Sequence, residues 1–276
     1  MGPPSRGVGG GDRGRTALRT IGEVLITAGL VVLLFVVYQV YVTDLFSAKK
    51  QSVATQAIDK EWANQRGETF DLADGHGIAK MYVPALGADY HFTIVQGTTQ
   101  DDLAIGPGHY TGSALPGQPG NFAVAGHRVG KGAPFNDIDM IQPCDAIIIE
   151  TAHNWFIYRM LPTKDEVANW QTHAGDPKCK GVAPLGTATN HPQYQATVGQ
   201  EIVDPSEGDV ISPIPHHPDM KANPGDMASL ITLTTCNPKF SDQQRLIVHG
   251  VLTQQYQKDP NKPNELPKEL TDEVEG

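Results

Sequence analysis

Ile231-Thr232-Leu233-Thr234-Thr235-Cys236 and Arg245-Leu246-Ile247-Val248-His249 are two β-type runs separated by residues 237–244, a turn-forming stretch that includes Pro238. Both are rich in β-branched residues, and each alternates with period two. Paired as an antiparallel hairpin, they bring Cys236 opposite Arg245, with Cα atoms about 4.5–5.5 Å apart. Ile231, Leu233, Leu246 and Val248 then share one face, the core face. Thr232, Thr234, Cys236 and Arg245 share the other. A thiol and a guanidinium project together from the end of a sheet. A nearby cation favours thiolate, the nucleophilic form of cysteine. The guanidinium, or backbone N–H groups beside the cysteine, can stabilise a carbonyl oxyanion.

Upstream, short apolar runs at 78–83, 91–95, 121–127, 146–151 and 155–161 are punctuated by turn residues. The turn at His153-Asn154 joins the last two as a hairpin. Residues 99–103 predict a short helix, with Thr99 as cap and Asp102 three positions on. The 29 glycines and 21 prolines among 276 residues exceed the roughly 12% share of an average chain and argue against a helical bundle. The reading is an all-β barrel or sandwich over residues 77–257. The stretch 163–200 breaks the strand rhythm. It is rich in Pro, Gly and Thr, and its length marks a functional loop or an insertion. A net charge of −10 gives no general attraction to nucleic acid.

Residues 24–42 carry no charge, and at 1.5 Å per residue they match a bilayer's hydrocarbon core of about 30 Å. Tyr38 and Tyr41 lie near the outer end, where aromatic rings favour the interface. Arg6, Arg13, Arg15 and Arg19 precede the run, and Asp44, Lys49 and Lys50 follow it. The positive-inside rule then places residues 1–23 in the cytoplasm, as a tail, and the bulk of the chain outside. A cleaved signal peptide would have a shorter apolar region and a small-residue cleavage site. The expectation is a single-pass signal anchor in the cell membrane, contacting the bilayer through residues 24–42. Residues 43–76 read as a stalk or N-terminal flap, with a short helix over 52–64. Residues 258–276 read as an acidic, flexible tail.

Three cysteines are too few for a disulfide scaffold. Outside the cell Cys144 and Cys179 are a candidate bridge tethering the long stretch, the alternative being two small apolar thiols. A nucleophilic cysteine needs a proton partner. Of ten histidines, His127 is the best placed: it ends the run Asn121-Phe122-Ala123-Val124-Ala125-Gly126 and is followed by Arg128 and Gly130. His249 is internal to a strand, and His216-His217 lie in a Pro-rich loop. No Asp-x-Asp-x-Asp-Gly, Cys-x-x-Cys or His-x-x-x-His spacing is present, so no metal or cofactor is expected.

These residues resemble the sortase family of cysteine transpeptidases. Thr232-Leu233-Thr234-Thr235-Cys236 matches that family's strand-ending Thr-Leu-x-Thr-Cys, Arg245 its arginine at the start of the next strand, and His127 its upstream histidine. The resemblance covers roughly residues 77–257. It implies a closed β-barrel of about eight strands with short helices, behind one N-terminal transmembrane helix. Gly108-His109-Tyr110-Thr111-Gly112 is similar to the corresponding segment of class E sortases, housekeeping enzymes of high-GC Gram-positive bacteria. There a tyrosine is thought to help select Ala in a Leu-Ala-x-Thr-Gly signal over Leu-Pro-x-Thr-Gly. The implied catalytic set is Cys236, His127 and Arg245, with Tyr110, Thr234 and Thr235 on the substrate. The implied partners are secreted proteins bearing a C-terminal sorting signal and a cell-wall precursor or stem-peptide amine. A pilus-polymerising sortase, using a pilin lysine, is the nearest alternative. Residues 43–77 lack the Asp-Pro of its usual lid. A non-catalytic, membrane-tethered binding module is the rival from another class.

Overall fold

The computed structural model describes residues 11–38, 43–65, 67–173, 175–188, 192–262 and 265–273. Helix α1 (Gly11–Val37) is followed by helix α2 (Thr43–Trp62). Within α1, the 24 residues Gly14–Val37 are long and apolar enough to cross a membrane, and none of that window is buried against protein. The helix thus begins well before the sequence-expected start at residue 24. Tyr41 and the end of the expected span lie outside the described residues.

Strands β1 (Gly77–Tyr82), β2 (His91–Gln96), β3 (Gly108–His109), β4 (Gly120–Ala125), β5 (Ala146–Glu150), β6 (Asn154–Met160), β7 (Gln200–Val203), β8 (Ser229–Asn237) and β9 (Gln244–Gln257) form one sheet in the order β6-β5-β1-β2-β3-β4-β8-β9. Pairing of β9 with β6 closes this sheet into an eight-stranded barrel, and β7 adds to the other half of β9. Most pairs are antiparallel; β2–β3 and β4–β8 are parallel. Ile231, Leu233, Leu246, Val248, Phe122, Val124, Ile147 and Ile149 point inward to one core. Each such side chain contributes roughly 1.5–3 kcal/mol on burial. A one-residue slip would expose the whole set, which fixes the register.

The expected short helix is α3 (Gln100–Leu103), with a complete capping box between Thr99 and Asp102. Between β6 and β7, the described residues of the 163–200 stretch form a succession of short turns, with helix α4 at Leu185–Ala188. It has its own small core of Trp170, Val182, Cys144 and Cys179. Trp170 Nε1 donates to the Val182 carbonyl at 3.1 Å, and a disulfide joins Cys144 to Cys179.

Two terminal segments differ from their sequence reading. Residues 43–62 are one continuous helix, longer than the 52–64 expected, laid against β1 and β2. The Gln51 amide donates to the Thr93 carbonyl and accepts from the Thr93 N–H at 2.9 and 2.8 Å, as a neighbouring strand would. Within 258–276, expected to be flexible, helix α5 (Lys268–Asp272) docks on the barrel; residues 263–264 and 274–276 lie outside the described residues. Tyr256 donates to Glu269, Arg159 pairs with Glu273 at 2.8 Å, and Leu270 packs beside Trp155 and Ile157. Glu269 and Glu273 meet specific partners on the barrel wall, which composition alone does not reveal.

The disulfide closes a loop of sequence separation 35. The chain-entropy relation gives such a crosslink about 4 kcal/mol. Reduction with dithiothreitol, or Cys179→Ser, is expected to lower the urea midpoint accordingly. An unmoved transition would mean that packing around Trp170 alone holds the segment.

Candidate active site

The β4, β8 and β9 ladders decide where three side chains meet. Cys236 and Arg245 are direct partners in the antiparallel β8–β9 ladder. The parallel β4–β8 ladder runs in register to Ala125↔Thr234 and continues through Gly126 N–H to the Thr234 carbonyl at 3.0 Å. Two residues beyond that pair on each strand are His127 and Cys236. Phe122 and Val124 face the core with Ile231 and Leu233, so alternation puts His127 and Cys236 together on the outer face. Cys236 therefore stands between a histidine and an arginine on three adjacent strand ends, spaced about 4.8 Å apart.

The local sequence holds this arrangement. A Cβ on Gly126 would lie 2.5 Å from the Phe135 ring, so only glycine lets that ring pack beneath the strand end. Phe135 N–H returns to the His127 carbonyl at 3.0 Å, closing the loop that carries the histidine. Thr235 is buried on the core side of β8 and donates to the Gly126 carbonyl at 2.7 Å. Its hydroxyl therefore braces the two strands. Thr234, on the Cys236 face, is hydrogen-bonded to the Tyr110 hydroxyl at 3.0 Å. Tyr110 is thus fixed two residues along β8 from the thiol.

The residue after the histidine also belongs to this frame, although sequence reading had noted it only as a flank. Arg128 is buried; its guanidinium donates to the Cys236 carbonyl at 3.4 Å and to Asn237 Oδ1 at 2.6 Å, and pairs with Asp139 at 3.0 Å. It clamps the backbone under the cysteine. Arg245 behaves differently. One terminal nitrogen donates to the carbonyls of Asp242 and Gln244, both at 2.9 Å, within its own loop. His127 Nε2 is shielded from solvent and has no hydrogen-bond partner among the described residues.

The thiol, the orphaned imidazole nitrogen and the multidentate cation are the parts of a nucleophilic acyl-transfer site. The sortase domain family matches residues 81–253, most of the barrel.

The chain belongs to the sortase family.

The chain is 30% identical to Sortase SrtE1 of Streptomyces coelicolor over 91% of its own length and 61% of that protein's; it therefore spans well under two thirds of that relative. It is 29% identical to Sortase SrtE2 of the same organism over 94% of each chain. Among solved structures, the SrtF sortase from Corynebacterium diphtheriae superposes with a TM-score of 0.61 at 37% identity, covering 75% of this chain and 98% of that one. Sortase E from Streptomyces avermitilis gives 0.50 at 26% identity, covering 72% and 99%. The similarity to sortase E proteins makes this a class E-like sortase.

Burial lowers the pKa of His127 below its usual 6.5, and the Lys131 ammonium lowers it further. The imidazole is therefore neutral at pH 7. Removing the Lys131 charge relieves repulsion of the imidazolium, so protonation begins at higher pH. In Lys131→Gln, NMR titration of the His127 ring is expected to give a pKa moved up toward 6.5, with the acid limb of kcat/KM following. An unmoved titration would assign the whole depression to burial.

Proposed function

We propose that this sortase is a membrane-anchored transpeptidase that cleaves a Leu-Ala-x-Thr-Gly or Leu-Pro-x-Thr-Gly sorting signal between Thr and Gly. The released Thr carboxyl group is joined to a cell-wall precursor or stem-peptide amine. The observation that carries this reading is the placement of Cys236 between His127 and Arg245 on one outer face, with Tyr110 beside them. The Cys236 sulfur attacks the Thr carbonyl carbon, and the carbonyl electrons move onto oxygen. N–H donors of Arg245 stabilise that oxyanion or hold the substrate. His127 takes the thiol proton as the sulfur attacks and returns it to the departing glycine amine as the oxyanion collapses and the C–N bond breaks, leaving a thioacyl enzyme. The acceptor amine then attacks the thioester, His127 takes its proton, and the Cys236 sulfur leaves. The depressed pKa of His127 suits the role of base at neutral pH, when the ring is unprotonated.

In this reading Tyr110, which is hydrogen-bonded to Thr234, meets the second residue of the signal and favours Ala there. In the membrane the reading is a single-pass protein, with residues 1–23 cytoplasmic and the 77–257 barrel outside. Arg13, Arg15 and Arg19 ahead of the apolar run support that orientation.

Fluorogenic peptides with Ala or Pro at the second position, offered to the full chain in detergent with an amine acceptor, test the reading. The wild type is expected to cut between Thr and Gly and to show a thioacyl adduct on Cys236 by mass spectrometry. Arg245→Ala is expected to lose about 10²–10³-fold in kcat/KM, the scale of one oxyanion donor. Cys236→Ala is expected to be inactive. Undiminished cleavage by Cys236→Ala would overturn the assignment, and peptide binding without an adduct would favour the non-catalytic module.

A further inference from the structure

On the same outer face, further along β9, lies a set of side chains that the transpeptidation chemistry does not use. Asn121 Nδ2 donates to the carbonyls of Val210 and Ser212 at 3.3 and 3.1 Å. Carbonyls only accept, so the amide orientation is fixed and Asn121 Oδ1 faces Thr232 at 2.7 Å. The single Thr232 hydroxyl proton is therefore committed to Asn121. His249 Nδ1, 2.8 Å from the same hydroxyl oxygen, must be the donor of that contact. In a neutral ring the proton is then on Nδ1, and the lone pair of Nε2 points outward.

That lone pair meets Glu201 Oε1 at 3.1 Å, and His216 Nε2 reaches the same oxygen at 2.9 Å. A carboxylate offers only lone pairs. Either a second proton or a cation must therefore lie between His249 Nε2 and Glu201. The His249 ring is completely buried, and burial disfavours the charged imidazolium. The two imidazole nitrogens and the carboxylate oxygen all lie within 4.8 Å of one another. Zinc bonds to His and Glu are about 2.0–2.2 Å long, which sets tetrahedral ligands about 3.3–3.5 Å apart. The two nitrogen-to-carboxylate separations, 2.9 and 3.1 Å, lie within about half an ångström of that spacing. A histidine whose second ring nitrogen is held as a donor is also the usual form of a metal-bound imidazole. His216 is in the left-handed backbone region (φ 66°), which side chains seldom enter, and its N–H is tied to the Asp209 carbonyl.

The geometry points to a divalent transition-metal site, zinc first among candidates, with Glu201, His216 and His249 as ligands and a fourth position left for water. Its place in the fold suggests a structural role. Residues 204–228 connect β7 to β8 across the outer face, where Val210 packs on Val203 and Ile247. An ion at this site fastens His216 of that segment to β7 and β9. It would do so about 13 Å along β9 from Arg245, at 3.3 Å per residue.

The experiment uses untagged full-length chain in detergent, carrying Cys236→Ala so that the thiol cannot bind metal. Zinc content is measured after incubation with Zn²⁺ and gel filtration, together with the visible d–d spectrum of the Co²⁺ form. The expected result is one Zn²⁺ per chain, a higher Tm with zinc, and a Co²⁺ spectrum of four- or five-coordinate type. Glu201→Gln and His216→Asn, both at partly exposed positions, are expected to abolish retention. Thr232→Val removes the acceptor that fixes the His249 tautomer, together with the donor to Asn121 Oδ1, while leaving all three ligands in place, and is expected to weaken binding about 10–100-fold. No retained zinc, or zinc retained equally by His216→Asn, would overturn the site and leave a protonated His–Glu–His cluster in its place. Because the assay uses no peptide and lacks the thiol, its outcome is independent of the sorting-signal reading.

Discussion

The pairing of β8 with a parallel strand on one edge and an antiparallel strand on the other is the constraint on which this sortase depends. Antiparallel pairing with β9 sets Arg245 opposite Cys236, and parallel pairing with β4 brings His127 level with it. A hairpin needs only a loop, whereas a parallel neighbour needs a long crossover. Here the crossover from β4 to β8 carries β5, β6 and β7. Once Ile231, Leu233, Phe122 and Val124 are inside the barrel, neither ladder can slip without exposing them. The core thereby sets which residues meet on the outer face.

Local pattern was enough to read the β8–β9 hairpin, because its two halves alternate cleanly and only a loop separates them. Seven of the nine strands were legible on the same grounds. β3 is two residues long and β7 is the polar-led Gln200-Glu201-Ile202-Val203; neither is long enough to show a period. The choice of His127 among ten histidines rested on a strand end and a glycine, since the register that sets it beside Cys236 is a long-range property. Arg128 is the clearest loss. Its partner Asn237 is 109 residues away, and in sequence it is one more charge after a strand. The cluster of Glu201, His216 and His249 escaped spacing rules for a related reason. Each residue comes from a different segment, and the chemistry lies in their convergence.

The 43–76 region, read from its polarity as a stalk or an N-terminal flap, attaches through those same polar residues. Gln51 and Thr55 bond to Thr93 of β2, and Asp44 accepts from the Gly132 N–H in the loop that follows His127. The helix nearest the apolar α1 is thus hydrogen-bonded to the loop holding the imidazole. A change in the orientation of α2 would be transmitted to that loop through one backbone N–H. The apolar Ile58, buried against the barrel, supplies the non-directional part of the same attachment.

Two arginines flank the thiol, and their surroundings separate their tasks. Arg128 is buried and neutralised by Asp139, and it also holds the Cys236 carbonyl and Asn237. A paired cation contributes little net field at the sulfur, so its effect there is geometric: it fixes the backbone from which the thiol projects. Arg245 bonds to the Asp242 and Gln244 carbonyls and pairs with no carboxylate among the described residues. Those contacts involve one terminal nitrogen of a group with five N–H donors. A substrate oxyanion can therefore engage the remaining donors without first dismantling an ion pair. Catalysis favours interactions that strengthen as charge develops. An arginine resting on neutral carbonyls meets that condition, because it gains more from an oxyanion than from the ground-state carbonyl. Arg128 is thus a positioning group, and the proposed mechanism leaves charge stabilisation to Arg245, opposite the cysteine.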